Sequence, residues 1–405
     1  MIVNKSILGN PFRSFIMGGF ECADHQNAFG ERIDLIELTG HNRMISEDYE
    51  RLRQIDITTV REGIRWSYVE KEPFVYDWNE MENIIIHAHK HNIQVVWDIC
   101  HFGFPDDLTP LHPMFARRFA HLCQAFVKKY RSLVPKGELI VTPINEVSFL
   151  SWLGGEVKGT SPYCINQGWE VKYMLMKAYI EGIEMMKEAD PSVRIMVTEP
   201  MIHISAVDQS DPEICSAALE KHLEQFQMFD ILSGKMCPEL RGKEEYLDIM
   251  GVNFYCNNQW TINDHQFVEW DCQPPNPLWR SLSSLVQDMY LQYGRPIVIS
   301  ETSIPEHKRY SWLKMISNEC MIILKKGIPL YGCCIYPIID RPDWDLPNIW
   351  HHSGLWDIPD PENLHREIHQ ESLIALNEFK FNLSTVLLSE EVSVAAEDDW
   401  EDNFY

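Results

Sequence analysis

Two glutamates stand at the ends of apolar runs and are the residues of this sequence best placed to carry chemistry. Glu146 ends the run 140–145, and Glu301 ends the run 297–300. A carboxylate at the end of a buried strand is costly unless it is paired or functional. Two facing carboxyl groups can cleave a glycosidic bond, because one protonates the leaving oxygen while the other attacks the anomeric carbon or activates water. The alternative is that each glutamate caps a helix or pairs with an arginine.

The segments that must position these glutamates alternate between short apolar runs and longer helical patterns. Nearly continuous apolar runs are typical of parallel strands buried on both faces. The predicted strands are Phe15–Glu21, Ile57–Trp66, Gln94–His101, Glu138–Glu146, Arg194–Glu199, Leu247–Tyr255, Pro296–Glu301 and Tyr331–Pro337. The predicted helices are Trp78–His91, Met114–Val134, Trp169–Ala189, Pro212–Met228, Leu278–Tyr293, Trp312–Lys326 and Asn363–Phe379.

Eight strands with intervening helices predict an α/β fold, a single (β/α)8 TIM barrel. An open sheet is less favoured because no glycine-rich phosphate loop follows an early strand. The barrel is expected to span residues 1–382, followed by an acidic and disordered tail at 383–405. The polar segment Asn257–Pro277 is expected to be a long loop after the sixth strand.

In such a barrel the chemistry lies at the carboxyl ends of the strands. Strands four and seven lie on opposite sides, so Glu146 and Glu301 can face each other across the mouth. Other polar residues that end predicted strands are Glu21, Arg61 or Arg65, His101, Asn145, Asn253 and Tyr255. Thr198-Glu199-Pro200 is similar to a catalytic motif, but it follows the fifth strand, and we expect Glu199 to be structural.

The motifs around these residues resemble those of clan A glycoside hydrolases, and within the clan those of family 1, the β-glucosidase and β-galactosidase group. Asn145-Glu146 and Ser300-Glu301 resemble the acid/base and nucleophile motifs of the clan. The segments that resemble family 1, in chain order, are Phe20-Glu21, Arg61 with Trp66-Ser67, His101–Pro105, Asn253–Tyr255, Asp340–Trp344 and Gly354–Asp357. Their order and placement cover the chain from about residue 15 to residue 357.

The resemblance implies a role for each matching residue. Glu146 would be the acid/base and Glu301 the nucleophile of a retaining mechanism, with Asn145 bonded to the sugar 2-hydroxyl. Arg61 and Tyr255 would keep the Glu301 carboxylate ionised, since a nearby cation and a hydrogen bond both favour the charged form. Arg65 is the alternative site arginine. The residues expected to bind the sugar are Glu21, His101, Asn253, Tyr336, Asp343 and Trp344.

Several residues depart from the family pattern. Val147 replaces a proline, and Thr302-Ser303 replaces Asn-Gly after the nucleophile. In the sugar-binding set, Glu21 replaces glutamine, Asp343 replaces glutamate and Tyr336 replaces tryptophan. These departures leave the catalytic pair intact but alter the sugar-binding set, so the reaction type is better specified than the sugar.

The amino-acid composition limits the classes of partner that we expect this chain to bind. A formal net charge of −25 repels nucleic acid and anionic membranes, so neither is expected as a partner, and a carbohydrate substrate is. The sequence leaves the oligomeric state open. The 11 cysteines include no paired Cys-x-x-Cys motifs, so no zinc ribbon is expected. Several lie inside apolar runs, such as Cys100 and Cys333, which indicates reduced thiols in a cytoplasmic protein. Adjacent loop histidines such as His351 and His352 do not usually converge on one ion, and no metal or cofactor is expected.

Two other functions fit the same residues. A transglycosidase would use the same catalytic pair with a sugar as acceptor in place of water. A non-catalytic carbohydrate-binding barrel would fit the altered sugar-binding set, but binding alone requires no nucleophile held in its ionised form.

Overall fold

A closed barrel of eight parallel strands forms the body of this chain in a computed structural model. The structure describes residues 9–401, with side chains up to residue 387. The strands are β1 (Ile16–Gly19), β2 (Thr59–Gly63), β3 (Gln94–Cys100), β4 (Ile140–Ile144), β5 (Arg194–Pro200), β6 (Ile249–Asn253), β7 (Ile297–Thr302) and β8 (Leu330–Ile335). Each strand pairs with the next along the chain, and β8 pairs with β1 to close the barrel. The predicted (β/α)8 barrel is confirmed.

Helices surround the barrel and connect its strands. They are α1 (Leu35–Thr39), α2 (His41–Gln54), α3 (Trp66–Val69), α4 (Asn79–His91), α5 (Phe115–Leu133), α6 (Val147–Ser151), α7 (Gly168–Ala189), α8 (Pro212–Leu223), α9 (Gln227–Leu232), α10 (Leu282–Tyr293), α11 (Arg309–Lys325) and α12 (Gln370–Glu401). The sequence prediction included no helix between β1 and β2, where α1 and α2 lie. The predicted loop 257–277 also contains a short strand, Gln259–Thr261, which pairs in parallel with His203–Ser205.

The barrel interior is filled by one apolar layer that seven strands share. Its strand members are Met17, Val96, Ile140, Met196, Ile249, Val298, Tyr331 and Cys334, all buried. Successive side chains on a strand point to opposite faces, so the residue two positions further on returns to the interior. In β3 that residue is Asp98, and in β5 it is Thr198. The layer above the apolar one is therefore polar, and it forms the floor of the mouth.

The last helix, α12, packs on the barrel beyond the predicted domain boundary. The boundary at residue 382 falls inside α12, and Leu383, Val386 and Leu387 are buried. The packed part of the chain therefore reaches residue 387, because these apolar side chains continue the buried face of the helix. The sequence predicts that the acidic tail is disordered over residues 383–405; side chains after residue 387 lie outside those described, so for that part the disorder stays a prediction. Among the described helices, none combines the length and apolar character needed to cross a membrane.

Candidate active site

Glu301 lies near the end of β7, and both of its carboxylate oxygens accept hydrogen bonds. Arg61 donates from Nη1 to Oε1 over 2.9 Å, and the Tyr255 hydroxyl donates to Oε2 over 2.8 Å. The side chain is 4% exposed. The alternative arginine, Arg65, lies elsewhere and pairs with Asp34 and Glu80. Glu301 is therefore a buried carboxylate with a cation on one oxygen and a hydroxyl on the other.

Arg61 connects Glu301 to the floor of the mouth. Its Nη2 donates to Asp98 Oδ2 over 2.7 Å and to Asn145 Oδ1 over 3.3 Å, and its Nη1 also reaches the Ser300 carbonyl. Burial alone disfavours the guanidinium charge, but Asp98 and Glu301 more than offset it and hold the pKa of Arg61 well above its usual range. Arg61 is therefore a permanent cation between two carboxylates.

Glu146 follows β4 by two residues and occupies the left-handed region, with a φ of 48°. Its backbone N–H donates to the Thr198 carbonyl over 3.0 Å, and its Oε1 accepts from Asn253 Nδ2 over 2.9 Å. The Ser300 hydroxyl donates to the other end of the Asn253 amide over 2.6 Å, which orients the NH₂ toward Glu146. Burial, and then the charge of Glu301, raise the pKa of Glu146 to about 8.

Asn145 lies between the two glutamates, and the hydrogen bonds that its side-chain oxygen accepts hold it in place. That Oδ1 accepts from the Thr198 hydroxyl over 2.7 Å, from Arg61, and from Asn253 over 3.4 Å. The amide nitrogen is consequently turned toward His101, whose Nε2 lies 3.4 Å away. An amide held in this way presents an N–H donor to the mouth.

Glu21, His101 and Tyr336 form a second group at the opposite wall. The Tyr336 hydroxyl donates to Glu21 Oε1 over 3.2 Å and lies 3.1 Å from His101 Nε2. His101 Nδ1 is 2.9 Å from Asp98 Oδ2, which fixes the ring orientation. On the outer side, Arg341 Nε is 3.3 Å from Glu21 Oε2. Asp98 thus joins this wall to the Arg61 network.

Asp343 and Trp344 have other partners. The Asp343 carboxylate accepts from the backbone N–H groups of Asp345 and Leu346 and lies 3.0 Å from His351 Nε2. The Trp344 ring packs at 4.4 Å from the ring of His25 and at 4.8 Å from that of Phe102. In this part of the wall, the side chain that reaches Glu21 is Arg341. The role implied for Asp343 stays a prediction.

Two comparisons with known proteins give no match: no family model matches the sequence, and no curated protein does. The fold is similar to solved structures. A β-glucosidase from Thermotoga maritima in complex with glucoimidazole superposes with a TM-score of 0.72 at 15% identity, over 85% of this chain and 88% of that one. A β-glucosidase from Thermotoga maritima in complex with castanospermine superposes with a TM-score of 0.71 at 13% identity, over 92% of this chain and 99% of that one. A further match is described as a family 1 β-glucosidase from Thermotoga maritima, with a TM-score of 0.69 at 14% identity, over 85% of this chain and 87% of that one.

The chain has the barrel fold of the family 1 β-glucosidases. This likeness confirms, for the fold, the resemblance that the motifs indicate. Identity of about one residue in seven fits a divergent chain, and it establishes the barrel but not the reaction.

Two residues of the site, Asp98 and Arg341, were not among the candidates from the sequence. Asp98 gave a signal, since it is the only charged residue in the apolar run 95–99. Arg341 gave none, because it lies in a loop whose path the sequence does not specify. Glu199 accepts with both oxygens from the Ser148 N–H at 3.2 Å, and burial raises its pKa to about 7. Its structural role stays a prediction.

Among the described residues, two groups have the spacing of metal ligands. Cys22, Asp98 and His101 form one, in which Asp98 Oδ2 accepts a hydrogen bond from Arg61 and lies 2.9 Å from His101 Nδ1. The second group, Asp340, His352 and Asp357, lies outside this network.

Proposed function

We propose that this chain is a retaining β-glycoside hydrolase, with Glu301 as nucleophile and Glu146 as acid/base. One observation carries the proposal. The two glutamates lie at the carboxyl ends of two barrel strands, and their surroundings differ. Burial and the charge of Glu301 raise the pKa of Glu146 to about 8, while Glu301 accepts hydrogen bonds from Arg61 and Tyr255. A carboxyl group that keeps its proton at neutral pH can serve as the acid, and a second carboxyl group bonded to a cation can serve as the nucleophile.

In the first step Glu146 gives its proton to the leaving oxygen while Glu301 attacks the anomeric carbon. The bond to the aglycone breaks, and an ester bond forms between the sugar and Glu301. In the second step Glu146, now ionised, takes a proton from water, and that water cleaves the ester with a second inversion. The Asn145 amide N–H is available to the sugar 2-hydroxyl, where contacts strengthen in the transition state. This mechanism predicts that the two carboxyl groups are about 5–5.5 Å apart.

The sugar itself would be held by the wall of Glu21, His101 and Tyr336. Glu21 offers acceptors, while Arg341 and the Asn145 amide offer donors. The family places an uncharged glutamine where Glu21 stands, so this wall is more strongly charged. We therefore propose that the chain acts on a β-linked sugar whose hydroxyl pattern differs from the one its structural relatives accept.

The test compares Glu301→Gln with Glu146→Gln on aryl β-glycosides, with and without azide. Glu301→Gln should lose activity on every substrate, because an amide is a poor nucleophile. Glu146→Gln should lose roughly 10²–10⁴ in rate with an unactivated leaving group and less with an acidic phenol. Azide needs no base, so it should restore turnover of Glu146→Gln and give a glycosyl azide of retained configuration.

Glu199→Gln is the matched control, since it changes another buried glutamate one strand away from Glu146. It should show no azide-dependent product. Azide rescue of Glu301→Gln with retention would mean that the two roles are reversed. Full activity in both variants would remove the pair from the mechanism and favour the binding-barrel alternative.

A further inference from the structure

A group of three ligand-type side chains lies beside the loop that follows β8. Asp340 comes five residues after β8 ends, His352 lies further along the loop, and Asp357 ends the short strand Trp356–Asp357. The Nδ1 of His352 is 3.0 Å from Asp340 Oδ2 and 3.8 Å from Asp357 Oδ1. The three potential ligand atoms all lie within 4.8 Å of one another.

Asp340 is the informative member because its carboxylate is fully buried and only half satisfied. Its Oδ1 accepts from the N–H groups of Arg341 and Ser353. Its Oδ2 accepts no hydrogen bond from any described residue, although His352 Nδ1 is only 3.0 Å away. The two atoms are thus close but not aligned as donor and acceptor. A buried carboxylate oxygen without a partner is costly.

Two side chains that bind the same metal ion lie close together in this way without forming a hydrogen bond to each other. With metal–nitrogen and metal–oxygen bonds of about 2.0–2.2 Å, ligand atoms around a tetrahedral ion lie roughly 3–4 Å apart. Each then directs a lone pair at the ion and not at its neighbour. The two separations from His352 Nδ1, 3.0 and 3.8 Å, fall in this range.

The surroundings fit a cation. Arg309 donates to both oxygens of Asp357, over 2.7 and 3.2 Å, and so fixes that carboxylate in the manner of an outer-shell partner. The carboxylates of Asp340 and Asp357 and the guanidinium of Arg309 together carry a net charge of −1, and a bound dication would change it to +1. His352 and Asp357 also line an open cavity together with Glu367 and Glu371, which add negative charge on the open side.

We propose that Asp340, His352 and Asp357 bind a divalent cation with the coordination preference of Zn²⁺. One imidazole and two carboxylates are ligands that zinc accepts, with the remaining position open to water on the cavity side. The ion would tie the start of the loop after β8 to the strand Trp356–Asp357. That loop carries Arg341, so the cation would hold the outer wall of the mouth in place. The proposal does not depend on the reaction that the mouth performs.

The test uses the full chain, stripped with a chelator and titrated with Zn²⁺ by calorimetry and by thermal unfolding. We expect one saturable site and a Tm that rises with Zn²⁺, because a ligand that binds the folded state alone stabilises it. Cobalt as a probe should give the visible absorption bands of a four- or five-coordinate ion.

His352→Gln is the main variant, because His352 is half exposed and the change should leave folding intact. It should weaken Zn²⁺ binding tenfold or more and abolish the rise in Tm. His351→Gln is the matched control, since the adjacent histidine faces Asp343. Absence of a saturable site in the unmodified chain would overturn the proposal, as would equal losses in the two variants. Asp340→Asn should also lose binding if it folds.

Discussion

The floor of the barrel mouth and its outer wall are built in different ways. On the floor, Arg61, Asp98 and Glu301 stand on strands, so the barrel itself fixes their positions. On the outer wall, Arg341 and Asp343 stand on the loop after β8 and are positioned by local hydrogen bonds. Side chains on strands are held more precisely than side chains on loops.

This difference separates two parts of the candidate site. On the floor, Arg61 and Glu301 stand in motifs that resemble those of the family, while the wall carries substitutions such as Glu21 and Tyr336. A network that must hold a carboxylate charged tolerates little change, because each member has several partners. A wall that binds a sugar can exchange donors for acceptors without disturbing the barrel. The following predictions test whether the two regions respond differently.

The largest effect is expected from Arg61→Gln on the floor. The change leaves Asp98 and Glu301 buried without their cation. The free energy of unfolding should fall by about 3–5 kcal/mol, as for a broken buried ion pair. Activity should fall by on the order of 10²–10³, as for a lost charge-stabilising donor. Denaturant unfolding and steady-state kinetics measure the two effects.

Arg65→Gln is the control for that experiment, because Arg65 is equally buried but pairs with Asp34 and Glu80. It should lower stability with a much smaller change in kcat. Comparable losses of kcat in both variants would show that the floor network has no special connection with the reaction.

The second prediction concerns pH. Glu146 must hold a proton to act as the acid, and its pKa is raised to about 8. The acid form is therefore present below that pH and is lost above it, so kcat/KM should decline by about tenfold per pH unit on the alkaline side. In Glu146→Gln this decline should disappear from the profile of an aryl glycoside. An unchanged alkaline limb in the variant would assign it to another group.

The smallest effect is expected on the outer wall. Arg341→Gln removes the cation whose Nε lies 3.3 Å from Glu21 Oε2 without a hydrogen bond, and it should raise KM by up to about fivefold, since a partly exposed ion pair contributes about 0.2–1 kcal/mol. Asp343→Asn should raise KM less, because backbone N–H groups and His351 already engage that carboxylate. Neither variant should change kcat strongly. A larger effect of Asp343→Asn would restore the role that the resemblance implies for it.

The strands could be predicted from the sequence because buried parallel strands are nearly continuous in apolar residues. Helix α2 could not, since its buried face includes His41 and Asp48, which resemble surface residues. In the fold, His41 lies 2.9 Å from Asp48 and 3.0 Å from Glu62, and Arg366 pairs with Asp48. Such a face can be recognised only when its partners from distant segments are known.

The residues of the candidate site also divide into those that the sequence identifies and those that it does not. Glu146, Glu301 and Tyr255 could be found because the ends of parallel strands meet at one face of a barrel. The choice between Arg61 and Arg65 could not be made from strand parity, because the chain leaves the strand at Gly63 and Arg65 takes a left-handed conformation. Whether Arg341 or Asp343 reaches Glu21 depends on the path of a loop. A separation of two residues along a loop does not predict which side chain points toward the mouth.

The backbone conformation of Glu146 affects which substitutions evolution would favour at this position. A glutamate with a φ of 48° is in a region that glycine adopts more easily, and its carboxyl group is partly buried. Folding alone would therefore favour glycine at this position, and random substitution in a protein that merely bound sugar would tend to remove the acid. Glu146 is a residue that the stability of the fold gives no reason to keep.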